Sequence, residues 1–327
     1  MLKYLVVLLD DTSISYCHYN ISDDKRRLMP LKILHKCILY GMKENLYIQF
    51  VLPDYKLPAE YWVEMNRIDH TLIMSSKFDI HEVTPKNIFY RYPDAIIIEG
   101  IDNLEKCIFR LGQSYILRIG IDELALNYQL IARYFNQVTR LNIVLNDADN
   151  IIEEEFCVYN TALEYFAFVL EELYLKGETP QINILTDRIF ISSMNNCGAG
   201  ETSITIAPDG NFYPCPAFYQ DYCDDCTDFI LGNVRDGLSI KNSALFQLDH
   251  APLCRNCDAY QCKRCIWLNK KLTKEINTPS REQCVMAHLE RNASRLLLYN
   301  IRKRAEFMKD IDIKEISYLD PFDVKPK

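Results

Sequence analysis

Short apolar runs alternate with longer amphipathic stretches through the first 190 residues of the chain. Strands are expected at Tyr4–Leu9, Leu46–Leu52, Thr71–Met74, Ala95–Ile98, Tyr115–Ile119, Leu141–Leu145 and Ile182–Leu185. Most are continuous in Val, Ile and Leu, as strands buried on both faces should be. Between them, Leu124, Tyr128, Ile131, Phe135 and Val138 recur at helical spacing. So do Tyr159, Leu163, Phe166, Leu170 and Leu173, with Gly177 as a stop signal. Repeated strand-then-helix order predicts an α/β fold: a parallel sheet with right-handed crossovers, open or curled into a partial barrel.

Near Ile191 the pattern breaks. Gly, Pro, Cys and aromatic residues become frequent and helical periodicity disappears until Pro279. Ser203–Ala207 alternates in strand fashion, Pro208–Asn211 is a turn signal, and Phe212–Tyr213 returns, so a hairpin is expected. Ser280 and Gln283 form a capping box for a last helix, expected to run to about Met308. The last residues, ending in Lys325-Pro326-Lys327, read as a solvated tail. These shifts divide the chain into residues 1–190, 191–290 and 291–327. No internal repeat or low-complexity tract interrupts them.

Composition narrows the function classes. The 327 residues are 49% hydrophobic and 25% charged, which is enough to bury a sizeable core. A formal charge of −8 argues against nucleic acid, because phosphate binding needs a basic face. No apolar run reaches membrane-spanning length. Tyr4–Leu9 ends in Asp10-Asp11 rather than a small-residue cleavage site, so a cytoplasmic location is expected.

Thirteen cysteines are many for such a chain, and nine fall between Cys197 and Cys284. In a reducing compartment, clustered cysteines point to metal rather than disulfides. Two groups carry the signal. Cys197 and Cys215 flank the expected hairpin, which would bring them together. Cys254-x2-Cys257-x4-Cys262-x2-Cys265 is followed by Cys284 after eighteen residues. A C-x2-C pair lets two thiolates converge on one metal from a tight turn. Five cysteines exceed one tetrahedral set, so one must serve elsewhere, most simply with Cys197 and Cys215. Cys223-x2-Cys226 is a further pair, either an additional ligand source or two free thiols. Spacing alone leaves zinc and iron–sulfur both open.

This arrangement resembles the SPASM domain, which carries two auxiliary [4Fe–4S] clusters in radical SAM peptide maturases. The resemblance covers roughly residues 191–290 and includes Cys197-Gly198-Ala199-Gly200, the Gly210-x4-Cys215 hairpin and the later cysteines. It implies that Cys254, Cys257, Cys262 and Cys284 hold one cluster, and that Cys197, Cys215 and Cys265 hold the other. Two gaps are one residue shorter than the usual family pattern.

The first domain, by the same resemblance, is a degenerate radical SAM core. Such enzymes carry C-x3-C-x2-C after the first strand, three thiolates that hold a cluster able to cleave S-adenosylmethionine. Here the loop reads Asp10-Asp11-Thr12-Ser13-Ile14-Ser15-Tyr16-Cys17-His18-Tyr19, and the motif occurs nowhere in the chain. Hydroxyls and carboxylates do not replace three thiolates. S-adenosylmethionine is therefore not an expected cofactor. The opening Met1–Ser13 and the SPASM-like end are similar to the CXXX-repeat peptide maturase family, associated with radical SAM enzymes and cysteine-repeat precursor peptides.

Three readings follow. The leading one is a cluster-bearing protein of peptide maturation, working with a radical SAM peptide maturase on a cysteine-repeat precursor. The second is a non-catalytic binding module with structural zinc. The third is an independent enzyme using polar residues at strand ends: Asp10-Asp11, Asp54, Ser75-Ser76, Glu99, Asp122, Asn146-Asp147 and Asp187. Among these, Asp10, Asp11, Cys17 and His18 stand where the absent cluster would sit. Most of the others read equally as helix caps.

Overall fold

The computed structural model describes residues 2–21, 26–78, 92–221, 229–313 and 320–324. In chain order the elements are β1 (Tyr4–Leu8), α1 (Leu31–Lys43), β2 (Tyr47–Val51), α2 (Ala59–Met65), β3 (Thr71–Ser75) and β4 (Ala95–Glu99). Then come α3 (Ile101–Lys106), β5 (Ser114–Ile119), α4 (Ile121–Ala132), β6 (Arg140–Leu145), α5 (Glu155–Leu175), β7 (Gln181–Ile182) and α6 (Asn183–Phe190). The chain finishes with β8 (Ser203–Ile206), β9 (Phe212–Tyr213), α7 (Ala217–Gln220), α8 (Ile266–Thr273) and α9 (Arg281–Arg304).

Packing divides the chain into two compact units that are discontinuous in sequence. One comprises residues 1–98 and 198–247, the other 99–197 and 248–327. The division crosses the boundaries expected at 190 and 290.

The first unit holds strands in the order β4-β3-β2-β1-β8-β9. All neighbours pair in parallel except the β8–β9 hairpin. Leu5, Val6, Val7 and Leu8 of β1 are all buried, which is why that strand needs a continuous apolar run rather than alternation. Helix α1 buries Leu34, Cys37, Ile38 and Gly41, spaced as one helical stripe. A Cβ at Gly41 would stand 2.5 Å from Ile48 Cδ1, so glycine allows α1 to lie close on β2. The expected hairpin forms, with Thr205 opposite Tyr213 and Ile206 opposite Phe212. Gly210 takes φ +81° in its turn. Less expected is the parallel pairing of β8 with β1, from Tyr4–Ser203 to Val7–Ile206. The hairpin within the cysteine-rich region thereby belongs to the first sheet.

In the second unit β5, β6 and β7 pair in parallel. Helix α5 buries Tyr159, Leu163, Phe166 and Leu170, and Phe166 meets Phe135 edge-on at 5.1 Å. The strand expected at Ile182–Leu185 is mostly helix α6. Asn183 explains the change. Its side chain accepts from the Ile143 amide at 2.8 Å and donates to the Ile143 carbonyl at 3.0 Å. The amide thus completes the edge of β6 without further strand backbone. Helix α9 starts with the expected capping box and stops at Arg304, with Ala305 extended at φ −145°.

The class is α/β, as the alternating pattern implies. Each unit's parallel strands form an open sheet, and no pairing closes either set into a ring among the described residues. No helix of the described residues is long and apolar enough to cross a membrane.

Candidate metal centre

Successive tight turns present the cysteines of the second unit. The amides of Cys254, Cys257 and Cys262 donate to the carbonyls of Ala251, Cys254 and Ala259 at 3.0–3.1 Å. Two amides further along point at sulfur: Ala259 N–H at Cys257 Sγ and Arg264 N–H at Cys262 Sγ, both 3.4 Å. An amide directed at sulfur stabilises the thiolate and aims its remaining lone pairs. Arg264 adopts φ +45° to make its contact. Cys265 sits at the N-cap of α8, and Cys284 lies in the first turns of α9, fixed by the Ser280–Gln283 capping box.

Cys254, Cys257, Cys262, Cys265 and Cys284 line one cavity of about 420 Å³, counting its open mouth, together with His288, Arg264 and Asp320. Burial pushes the Cys254 thiol up to about 11, against the lowering effect of the Arg264 guanidinium. It also raises the thiols of Cys262 and Cys284, and charge on Cys254 and Cys257 adds to both shifts. These four sulfurs are near enough to feel one another. Among the described residues every cysteine is a free thiol, and no three His, Cys, Asp or Glu side chains close to single-ion distance. Ligand sulfurs of one tetrahedral zinc stand roughly 3.8 Å apart. A cuboidal cluster spreads its ligands farther, one to each iron. The donor set and the directed amides fit such a group.

Around the cavity lies a buried charge cluster that the sequence did not announce. Asp258, between the cysteines of the knuckle region, accepts from Arg291 at 3.0 Å and Arg295 at 2.8 Å. Arg188 of α6 donates through Nε to the Asp258 carbonyl at 3.0 Å. The loop is thereby tied to two helices at once. Residues 320–324 also dock here. Arg291 donates to Asp323 and to the Val324 carbonyl, each at 2.9 Å, and Asp320 reaches the cavity. Of the expected tail, residues 314–319 and Lys325–Lys327 lie outside the described residues.

The remaining expected ligands are placed as follows. The Cys197 amide donates to the Lys263 carbonyl at 3.0 Å in the second unit, and its residue is exposed. Cys215 follows β9 in the first unit and is half-buried. Cys223 and Cys226 lie outside the described residues.

The loop after β1 is filled by hydrogen bonds. Asp10 Oδ1 accepts from the Thr12 amide and hydroxyl, both 2.8 Å, and Oδ2 from Tyr55 at 2.7 Å. Asp11 accepts from the Tyr219 hydroxyl and pairs with Arg27 at 3.4 Å, while Arg27 also donates to Tyr219. Burial raises the Asp11 carboxyl, opposed by Tyr219 and Arg27. Gln220 donates to the carbonyls of Asp11 at 3.1 Å and Ser13 at 2.7 Å, and accepts from Tyr19 at 3.0 Å. Cys17 and His18 follow in the same loop and are half-buried.

Other strand-end carboxylates also have structural partners. Asp54 accepts from Thr12 at 3.1 Å, Asp147 accepts from the first amide of α4 at 2.8 Å, and Glu99 pairs with Arg118. Asp187 lies within α6, not at a strand end, and receives Arg140 at 2.9 Å.

Comparison with solved structures adds one finding to this geometry. Native anSMEcpe with bound AdoMet and Kp18Cys peptide aligns at TM-score 0.59 and 13% identity, over 91% of this chain and 99% of that one. The chain shares the fold of anSMEcpe. The same protein with AdoMet and Cp18Cys peptide aligns at TM-score 0.59 and 12% identity, over 92% and 99%. Hexahistidine-tagged anSMEcpe with AdoMet aligns at TM-score 0.54 and 13% identity, over 93% and 96%. No protein-family model matches the sequence, and no curated protein does. The anSMEcpe likeness therefore extends end to end at the level of fold.

Three features of the site escaped sequence reading. Asp258 and its arginines come together from distant segments, and Gln220 reaches the first loop from beyond β9. His288 had a signal: it follows Cys284 by four residues on an expected helix, which puts both on one face.

Proposed function

We propose that this chain works in the maturation of a ribosomally made peptide, holding an iron–sulfur cluster in the cavity of Cys254, Cys257, Cys262 and Cys284. The observation that carries this reading is the gathering of these buried and half-buried cysteines in one cavity, with amides directed at sulfur, on a fold shared with anSMEcpe. anSMEcpe has been solved holding both AdoMet and peptides. A second cluster on Cys197, Cys215 and Cys265, and membership of the CXXX-repeat maturase family, rest on the family resemblance.

The loop after β1 supports a division of labour. It lacks the three-cysteine motif, and its two aspartates hold neighbouring side chains and backbone. Cleavage of S-adenosylmethionine then belongs to a separate radical SAM partner. When bound, a cluster in the cavity of Cys254, Cys257, Cys262 and Cys284 would supply one-electron capacity. The protein's own residues orient the sulfurs: the Ala259 and Arg264 amides point at Cys257 and Cys262, and the Arg264 guanidinium places positive charge beside Cys254.

The test is co-expression of this chain with a radical SAM peptide maturase and a cysteine-repeat precursor, read by peptide mass. Replacing Cys254 and Cys257 together by Ser should abolish the mass change while the variant still binds peptide. Unchanged maturation in that variant would overturn the proposal. Structural zinc is separated from it by metal analysis.

A further inference from the structure

Residues 320–324 fold into a hook by local rules. Asp320 opens a turn with Pro321 in its second position, where the proline ring presets the backbone. The Asp320 carbonyl accepts from the Asp323 amide at 3.2 Å, and Asp320 Oδ1 accepts from the Phe322 amide at 2.8 Å. The hook carries the Asp320 side chain into the cysteine cavity, where that side chain is 3% exposed. His288 Nε2 stands 3.6 Å from Asp320 Oδ2 and 3.7 Å from Cys257 Sγ. The carboxylate of the hook is thus one side chain away from the cysteines.

What fastens the hook to α9 is polar. Arg291 donates to Asp323 Oδ1 and to the Val324 carbonyl, both at 2.9 Å. Asn292 donates to the same carbonyl at 2.9 Å, and His288 Nδ1 lies 3.2 Å from the Phe322 carbonyl. A third of the Asp323 side chain is exposed, and Phe322 and Val324 are only half-buried. Hydrogen bonds that water can replace add little net stability, and a partly exposed ion pair weakens with salt. Burial of the Asp320 carboxyl works against closure. The floor beneath is different. There Arg291 also donates to Asp258 at 3.0 Å, with both side chains buried. One guanidinium thus joins a lasting contact to a releasable one.

We propose that residues 320–324 are a releasable cover over the cysteine cavity. Seated on His288, Arg291 and Asn292, the hook keeps reagents from Cys254 and Cys284; released from α9, it admits them. Closing is aided by the turn, which holds the hook in shape while it is free. Access to the cavity is the quantity at issue, whatever group the cavity holds, so failure of the cover leaves the proposed cluster untouched.

Pulse alkylation of the full chain with iodoacetamide, read cysteine by cysteine by mass spectrometry, tests the cover. Asp323→Ala removes the ion pair to Arg291, and Pro321→Gly loosens the turn without touching a charge. Each should speed labelling of Cys254 and Cys284 by about fivefold, the effect of losing one exposed hydrogen-bonded contact. Cys37, fully buried in the first unit, should keep its rate and so report that the fold is intact. Raising salt from about 0.05 M to about 0.5 M should speed the wild type and leave Asp323→Ala unchanged. Labelling of Cys254 and Cys284 that stays at the wild-type rate in both variants, or rises only together with Cys37, overturns the cover. So does a wild-type rate indifferent to salt.

Discussion

Arg291 donates to Asp258 at 3.0 Å with both side chains buried, and this pair anchors the turn that follows Cys257 to α9. Arg295 and Arg188 converge on the same aspartate. Removing one partner of a buried ionic group leaves uncompensated charge, so Asp258→Ala should destabilise the protein by about 3–5 kcal/mol. Chemical denaturation measures it. A loss below about 1 kcal/mol would show that the arginines do not hold the loop.

The protonation of the cysteines predicts how metal uptake depends on pH. Burial holds Cys254 near 11 and raises Cys262 and Cys284, so these groups are thiols at neutral pH. Metal must displace their protons, and apparent affinity should rise as pH rises through the neutral range. Competition with a chelator between pH 6 and 8 should show roughly a tenfold gain per unit for each proton released. A flat profile would mean that these thiols are not the ligands.

Glu290 provides an independent pH signature. Burial raises its carboxyl to about 7, although hydrogen bonds from Tyr159 at 2.7 Å and Gln261 at 3.1 Å lower it. The folded value exceeds the unfolded one, so the folded state retains a proton that the unfolded chain releases. Its contribution is complete below about 4.5 and is lost as pH rises through 7. Glu290→Gln should remove this slope, with a gain of roughly 3 kcal/mol at most above pH 8. Stability curves that decline identically in both proteins would refute the assignment.

The first loop yields the opposite kind of prediction. Tyr219→Phe removes hydrogen bonds to Asp11 and from Arg27, and should cost about 1 kcal/mol with metal content unchanged. Asp10→Asn and Asp11→Asn should leave maturation intact if these carboxylates serve structure. Loss of maturation in a folded Asp11→Asn protein would revive the reading of an independent enzyme at the strand ends.

How much was legible in the sequence depended on how local the cause was. The capping box of α9 and the hairpin around Gly210 follow from adjacent residues, and both form. The strand expected after Ile182 failed because Asn183 satisfies β6 with its side chain, which apolar pattern does not register. Pairing of β8 with β1 joins residues nearly 200 positions apart, and no local signal marks it. The same holds for Asp258 and Arg188. The cysteine spacings pointed to side chains that do line one cavity, whereas the charge around it emerged only from the packing.

Iron and acid-labile sulfide in the anaerobically purified chain, taken with its visible spectrum, test the central claim most directly. A brown protein with iron and sulfide in equal amounts, roughly four of each per filled site, is the predicted result. Colourless protein holding stoichiometric zinc, or no metal at all, would contradict it.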